Sequence, residues 1–269
     1  MLRIKTLFLI LLISFISYIE LFSQSFKVEA GKSAAMSNAS VTLSDIWSIY
    51  SNQAGLGNLE NISIGAFHQS GFIKEQNVQG IAFAIPTKTG TIGASYSYYG
   101  YSLYNEMQAG LAFGRSFTKY FSVGIQLNYI YTHIADNYGT EDAVNFEIGI
   151  LSEPIDNLVI GAHVYNPSRS KLGEEEIPTY FDIGISYLFS EKILLAIGTE
   201  KDLDYDAIFK AGIDYQIIEF VSVQAGISTN PARYSFGIGL HYLNIDAQVG
   251  FRNHQTLGFT PSFTLSYGF

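Results

Sequence analysis

Cysteine is absent from the 269 residues. That excludes disulfides, thiol catalysis, cysteine-based metal sites and lipid attachment at a cysteine. Charge is also scarce, at 14% of residues, against about 25% in a typical soluble domain. Past the first twenty residues, no apolar run approaches the roughly 20 residues that a membrane-spanning helix needs. Basic runs are missing and the formal charge is −9, so nothing favours binding to nucleic acid or docking on an anionic membrane surface. No glycine-rich phosphate loop follows a strand and opens a helix. The five histidines (68, 133, 163, 241 and 254) include no pair at metal-ligand spacing. Serines abound, but without a nucleophile-elbow motif. The expectation is therefore a non-enzyme with no catalytic residues, no metal and no cofactor.

What is abundant is aromatic and small. The chain holds 19 Tyr, 20 Phe and 25 Gly, and from Asn61 onward large apolar residues alternate with small or polar ones. Phe121, Val123, Ile125, Leu127, Tyr129 and Tyr131 alternate with Ser122, Gly124, Gln126, Asn128 and Thr132. The chain closes on Phe263, Leu265, Tyr267 and Phe269, separated by Thr264, Ser266 and Gly268. Period-2 alternation belongs to strands with unlike faces, and helical spacing fits none of these segments.

About 14 such segments lie between residues 61 and 269, most of them 10 to 12 residues long, the length that carries a tilted strand across a bilayer. Soluble sandwiches use strands nearer 5 or 6 residues. Longer connections, such as 71–76, 134–142 and 167–178, alternate with tight ones, such as 86–90, 190–191 and 243–244. Sorting by parity of this kind is a barrel property. The expected fold class is all-β, a transmembrane antiparallel β-barrel of about 14 strands over 61–269. Aromatic clusters near segment ends would form interfacial girdles, and recurrent glycines on the polar face would leave room inside. The terminal Phe263–Phe269 stripe is read as the signal for the barrel-assembly machinery.

The first residues have the pattern of a secretory signal. Arg3 and Lys5 precede an apolar stretch from Leu7 to Ile19, and Ser23-Gln24-Ser25 offers small residues for cleavage. Processing after residue 25 would remove Arg3, Lys5 and Glu20 and move the formal charge from −9 to −10. The expected location is the outer membrane, with both termini periplasmic and membrane lipid as the surrounding solvent.

Lipid-facing charge costs about 2–4 kcal/mol near the midplane, so ionisable residues of the wall must point inward. Parity selects Glu147, Asp182, Glu200, Lys210, Asp214, Asp246 and Arg252, together with His163, His241, Gln126, Gln224 and Gln248. These groups would line a solute path, or pair with one another and with an interior segment.

Residues 26–60 do not alternate. Ser44 is placed to cap a short helix from Asp45 through Trp47 to Tyr50. The segment carries Met36, Ala39, Asp45, Asn52, Ala54, Gly55 and Leu56 in an order that resembles the start of the FadL-like long-chain fatty acid transporters and the related PorV/PorQ proteins of the type IX secretion system. Ser37-Asn38 stands where those families have a glycine pair, and Gln53 where they have proline. The resemblance implies that residues 26–60 fold into the lumen as a plug. It implies a channel for small hydrophobic solutes or, alternatively, a barrel that handles secreted proteins at the cell surface. A Bacteroidetes-like composition leans toward the second.

Deleting Phe269 should lower the amount of protein assembled in the outer membrane, measured by fractionation. Normal insertion would show the terminal aromatic to be dispensable.

Overall fold

The computed structural model describes residues 27–135, 139–254 and 257–269. The signal-sequence expectation lies outside them. Fourteen long strands close on themselves. They are β1 (Ser63–Gln69), β2 (Val78–Thr87), β3 (Gly90–Gly100), β4 (Tyr104–Thr118), β5 (Phe121–Ile134), β6 (Gly139–Ile155) and β7 (Leu158–Tyr165), then β10 (Tyr180–Phe189), β11 (Ile193–Asp202), β12 (Ile208–Ile218), β13 (Val221–Ser228), β14 (Arg233–Tyr242), β15 (Ile245–His254) and β16 (Gly258–Gly268). Each pairs antiparallel with its neighbours, and β1 pairs with β16 from Ser63↔Gly268 to Gln69↔Ser262. The backbone of Phe269 extends this seam by donating to the Ile62 carbonyl at 2.8 Å. A two-residue-per-strand hairpin, β8 (Lys171–Leu172) with β9 (Glu175–Glu176), sits in the longest connection. The sequence alone treated that stretch as loop; its strands are too short to show a period.

Alternation in sequence becomes alternation in exposure. In β5, Ser122, Gly124, Gln126 and Asn128 are buried, while Ile125, Leu127 and Tyr129 are about half exposed. Exposed apolar side chains ring the whole wall, from Ile64 and Ile81 through Leu111, Ile183 and Ile213 to Phe263 and Leu265. A belt of this kind is stable only against hydrocarbon. Closure leaves no edge whose backbone groups would meet lipid unpaired. No helix among the described residues is long and apolar enough to cross a membrane.

One rim of the barrel carries tight turns at 88–89, 119–120, 156–157, 219–220 and 243–244. The other carries the longer connections 70–77, 166–179 and 203–207. We call these the turn rim and the loop rim; Ser63 and Phe269 lie at the turn rim.

Residues 27–60 contain a four-residue helix α1 (Lys32–Ala35) and two 3₁₀ helices, η1 (Ile46–Tyr50) and η2 (Gln53–Asn58). Asp45, not Ser44, caps η1. Its side chain accepts from the Trp47 amide at 2.8 Å, while Ser48 Oγ accepts from the Asp45 amide at 3.0 Å. Ser44 is exposed, and its hydroxyl accepts from Asn58 instead. The expected helix is therefore the tighter 3₁₀ form and starts one residue later. Asn52 caps η2 through the Ala54 amide. Fourteen strands enclose more width than wall side chains alone can fill. This segment takes up that space, touching β1–β6 on one side and β13–β15 on the other.

Leu127→Lys, placed at the centre of the lipid-facing side of β5, should cost about 2–4 kcal/mol. Urea titration of protein folded into lipid vesicles measures the loss.

Candidate functional site

The wall makes room for the interior segment by omitting side chains. Behind η2, a Cβ on Gly124 would overlap the Gln53 carbonyl carbon and the Ala54 amide, and one on Gly149 would overlap the Asn52 side chain. Behind α1, Gly226 lies against the Met36–Ser37 peptide, and Gly212 and Gly237 lie against Met36 and Ala35. Ala54, Leu56, Met36, Asn52 and Gln53 are all below 1% exposed in consequence. Of the motif residues, Ala39 packs beside Met36 against Ala196, and Trp47 sits edge-on to Phe67 at 6.1 Å. Gly55 is pressed against the Leu43 carbonyl and Ser48.

Two polar systems join segment to wall. The first centres on Glu147, which is 3% exposed. Its Oε2 accepts from Gln53 Nε2 at 2.8 Å and lies 2.8 Å from His163 Nε2. Its Oε1 accepts from Asn128 Nδ2 at 2.6 Å and Gln126 Nε2 at 3.3 Å. A buried carboxylate can be held only with its lone pairs met in this way. Asn52 adds main-chain contacts, donating to Val41 O at 2.7 Å and Ile150 O at 3.1 Å.

The second system is ionic and lies on the opposite side. Lys27 pairs with Glu200, Glu29 with Arg252, and Lys32 with Asp214 at 2.5 Å. Lys210, 5% exposed, bridges Asp182 at 2.7 Å and Glu200 at 2.5 Å. Asp214 also accepts from Gln224 Nε2 at 2.9 Å. From there the line continues to Ser222, His241 and Asp246. Asp246 has inward parity, yet it sits exposed at the turn rim, paired with His241.

Ser222, His241 and Asp246 stand in the order nucleophile, base and orienting acid. Ser222 Oγ is 2.9 Å from His241 Nε2, and Asp246 meets Nδ1. Ser222 is only 1% exposed, however, and Gln224 also donates to its hydroxyl at 2.7 Å. It lines neither the large cavity at the loop rim nor the small one beside Ser33 and His163. The trio braces three strands and offers no approach to an acyl group. No three His, Asp or Glu among the described residues converge as metal ligands.

Above the segment a cavity of about 680 Å³ opens toward the loop rim. Its floor includes Lys27, Glu29, Ser37 and Asn38, and its wall includes Tyr99, Tyr165, Tyr180, Lys210 and Arg233. Tyr50 stands at its edge. Burial raises that phenol above its ordinary value, so it remains a donor, and it donates to Ile81 O at 2.7 Å. Beneath, burial lifts the Asp45 carboxyl above the usual carboxylate range, against the opposing pull of Lys32.

Of the wall residues selected by parity, Glu200, Lys210 and Arg252 border the cavity, and Glu147 touches it from the Gln53 side. Asp182 lies just below, while Asp214 and Asp246 run down toward the turn rim. Sequence reasoning passed over Lys27, Glu29 and Lys32, whose partners come from strands 173 to 223 residues away. It also omitted Arg233, although Arg233 shares parity with Ser235 and Gly237, and that signal was available.

No protein-family model matches the chain, and no curated protein matches it. Solved structures do, at the level of fold. The CymD monoaromatic hydrocarbon channel superposes with a TM-score of 0.72 at 11% identity, over 92% of this chain and 99% of that one. The Ralstonia pickettii toluene transporter TbuX gives 0.69 at 11% identity, over 91% and 100%. A Pseudomonas aeruginosa FadL homologue gives 0.60 at 11% identity, over 88% and 97%. The fold is therefore that of FadL-type hydrophobic-compound channels. These neighbours lend no support to the PorV/PorQ alternative.

Gly124→Leu should drive η2 off the wall, because the added side chain needs the volume held by the Gln53–Ala54 peptide. Planar-bilayer recording should show higher single-channel conductance than wild type. An unchanged conductance with native heat-modifiable migration would mean that the segment does not limit the lumen.

Proposed function

We propose that the protein is an outer-membrane channel for small hydrophobic molecules, with residues 27–60 acting as its plug and both termini in the periplasm. One observation carries the reading. A cavity open at the loop rim and rich in aromatic rings ends on a chain segment that packs against the wall without joining its strand ladder. A solute of low polarity enters at the loop rim, gains contact with the rings, and advances when the segment shifts. The FadL-type fold supports this reading, as does the motif from Met36 to Leu56. The exposed apolar belt supplies the contact with membrane lipid, and the Phe263–Phe269 stripe is the assigned contact for the assembly machinery. Residues 1–25 are assigned as a cleaved export signal.

The wall chemistry fits a passive role. Ionisable groups facing the lumen are mostly spent on the segment and on each other, through Glu147, Lys210, Asp214 and Arg252. Their pairing holds the plug in one position at rest. Moving the plug breaks several charge-assisted contacts together, so the closed state is the resting one.

Vesicles containing the purified barrel should pass toluene faster than vesicles containing an unrelated closed barrel, measured by release into an external trap. Deleting residues 31–57 should raise both toluene flux and ion conductance. Equal toluene flux from the intact protein and the control would refute the channel reading.

A further inference from the structure

Among the described residues, one cation bordering the cavity has no carboxylate within ion-pair distance. Lys27, Lys210 and Arg252 each face a carboxylate, namely Glu200, Asp182 with Glu200, and Glu29. Arg233 borders the same cavity, half-buried; Glu29 and Glu200 attract it from a distance, but its side chain makes no hydrogen bond or ion pair with any described residue. Its parity is inward: Tyr234 beside it is 61% exposed on the lipid side, and Ser235 is buried. An unpaired guanidinium withdrawn from water is costly unless an anion completes it.

The surroundings narrow the anion further. β14 pairs with β15 through Ser235↔Arg252. The pairing stops there, and Arg233 and His254 end their strands at the loop rim, where Phe72 packs edge-on against the His254 ring at 5.1 Å. The planar apolar ring of Phe72 and the Arg233 guanidinium therefore line one cavity. Among the described residues the cavity lining includes six aromatic rings but only three branched aliphatic side chains, Val28, Val78 and Ile208. Ring faces and edges favour a flat partner over a flexible chain. The mouth carries Asp202 and Asp206, both with exposed or half-exposed carboxylates. These repel negative charge, so a dianion is disfavoured about twice as strongly as a monoanion.

We propose that this cavity binds an aromatic monocarboxylate of benzoate size, its carboxylate on Arg233 and its ring beside Phe72. The proposal rests on the channel reading and adds a polar end to the solute. A ligand carboxylate can take two parallel N–H donors from the guanidinium fork, and lysine cannot reproduce that geometry. The site sits above the plug, so it is a first docking position, occupied before the segment moves.

Calorimetric titration of the purified full barrel in non-ionic detergent tests this, with benzoate, benzyl alcohol, phthalate and octanoate as probes. Benzoate should bind more tightly than octanoate or the dianion phthalate. Arg233→Gln should weaken benzoate by about tenfold or more and leave benzyl alcohol within about twofold, while Arg233→Lys should fall between. Heat-modifiable migration checks that each variant is folded. Equal benzoate affinity in wild type and Arg233→Gln overturns the proposal, as does octanoate binding more tightly than benzoate. Wild-type binding of benzyl alcohol with none of benzoate overturns it while leaving the channel reading intact. That reading fails separately, if toluene flux is also absent.

Discussion

Every other feature follows from the requirement that no backbone amide or carbonyl be left unpaired in hydrocarbon. The pairing of β1 with β16 meets it, joining residues about 200 positions apart in the chain. Once the sheet is closed, outward residues can only be apolar and inward residues carry all the remaining chemistry. Fourteen strands then fix a width that side chains of the wall cannot fill. The 27–60 segment and the glycines that receive it are consequences of that width.

The segment is held differently on its two sides. Against β1–β6 the contact is apolar packing, with Trp47, Ile49 and Leu56 meeting Phe67, Ala82, Ala84 and Ala112. The buried Glu147 network lies at the edge of this side. Against β11, β12 and β15 the contact is made by ion pairs of Lys27, Glu29 and Lys32. Packing is insensitive to salt and ion pairs at partly hydrated positions are not. The first few residues of the segment are therefore the part whose hold depends most on ionic conditions.

Much of the wall was legible in the sequence because the side-chain period of a strand is two, and one face had to be apolar. Alternation from Asn61 to Phe269 located the strands, and the length of the connections sorted the two rims. Strand ends were less legible, as with β6, which runs from Gly139 to Ile155 where alternation suggested a shorter span. The interior segment was the least legible. Its 3₁₀ helices are too short for a period, and the choice of Asp45 over Ser44 as cap depends on which residue the fold leaves exposed. The site itself was legible in composition, through inward Glu147, Glu200 and Lys210, but not in pairing. Partners such as Lys32 and Asp214 are set by where the segment lies across the barrel, which local sequence does not encode. Arg233 was readable by parity, while its having no ion pair among the described residues is a property of the assembled lumen alone.

The glycines behind the segment have one more consequence. Were the segment to withdraw, Gly114, Gly124, Gly149, Gly212, Gly226 and Gly237 would leave bands of bare main chain on the inner wall. The amides and carbonyls of those bands are already committed to the strand ladders. A solute crossing them would meet a smooth track with few points of adhesion, and friction would come chiefly from the charged patches between.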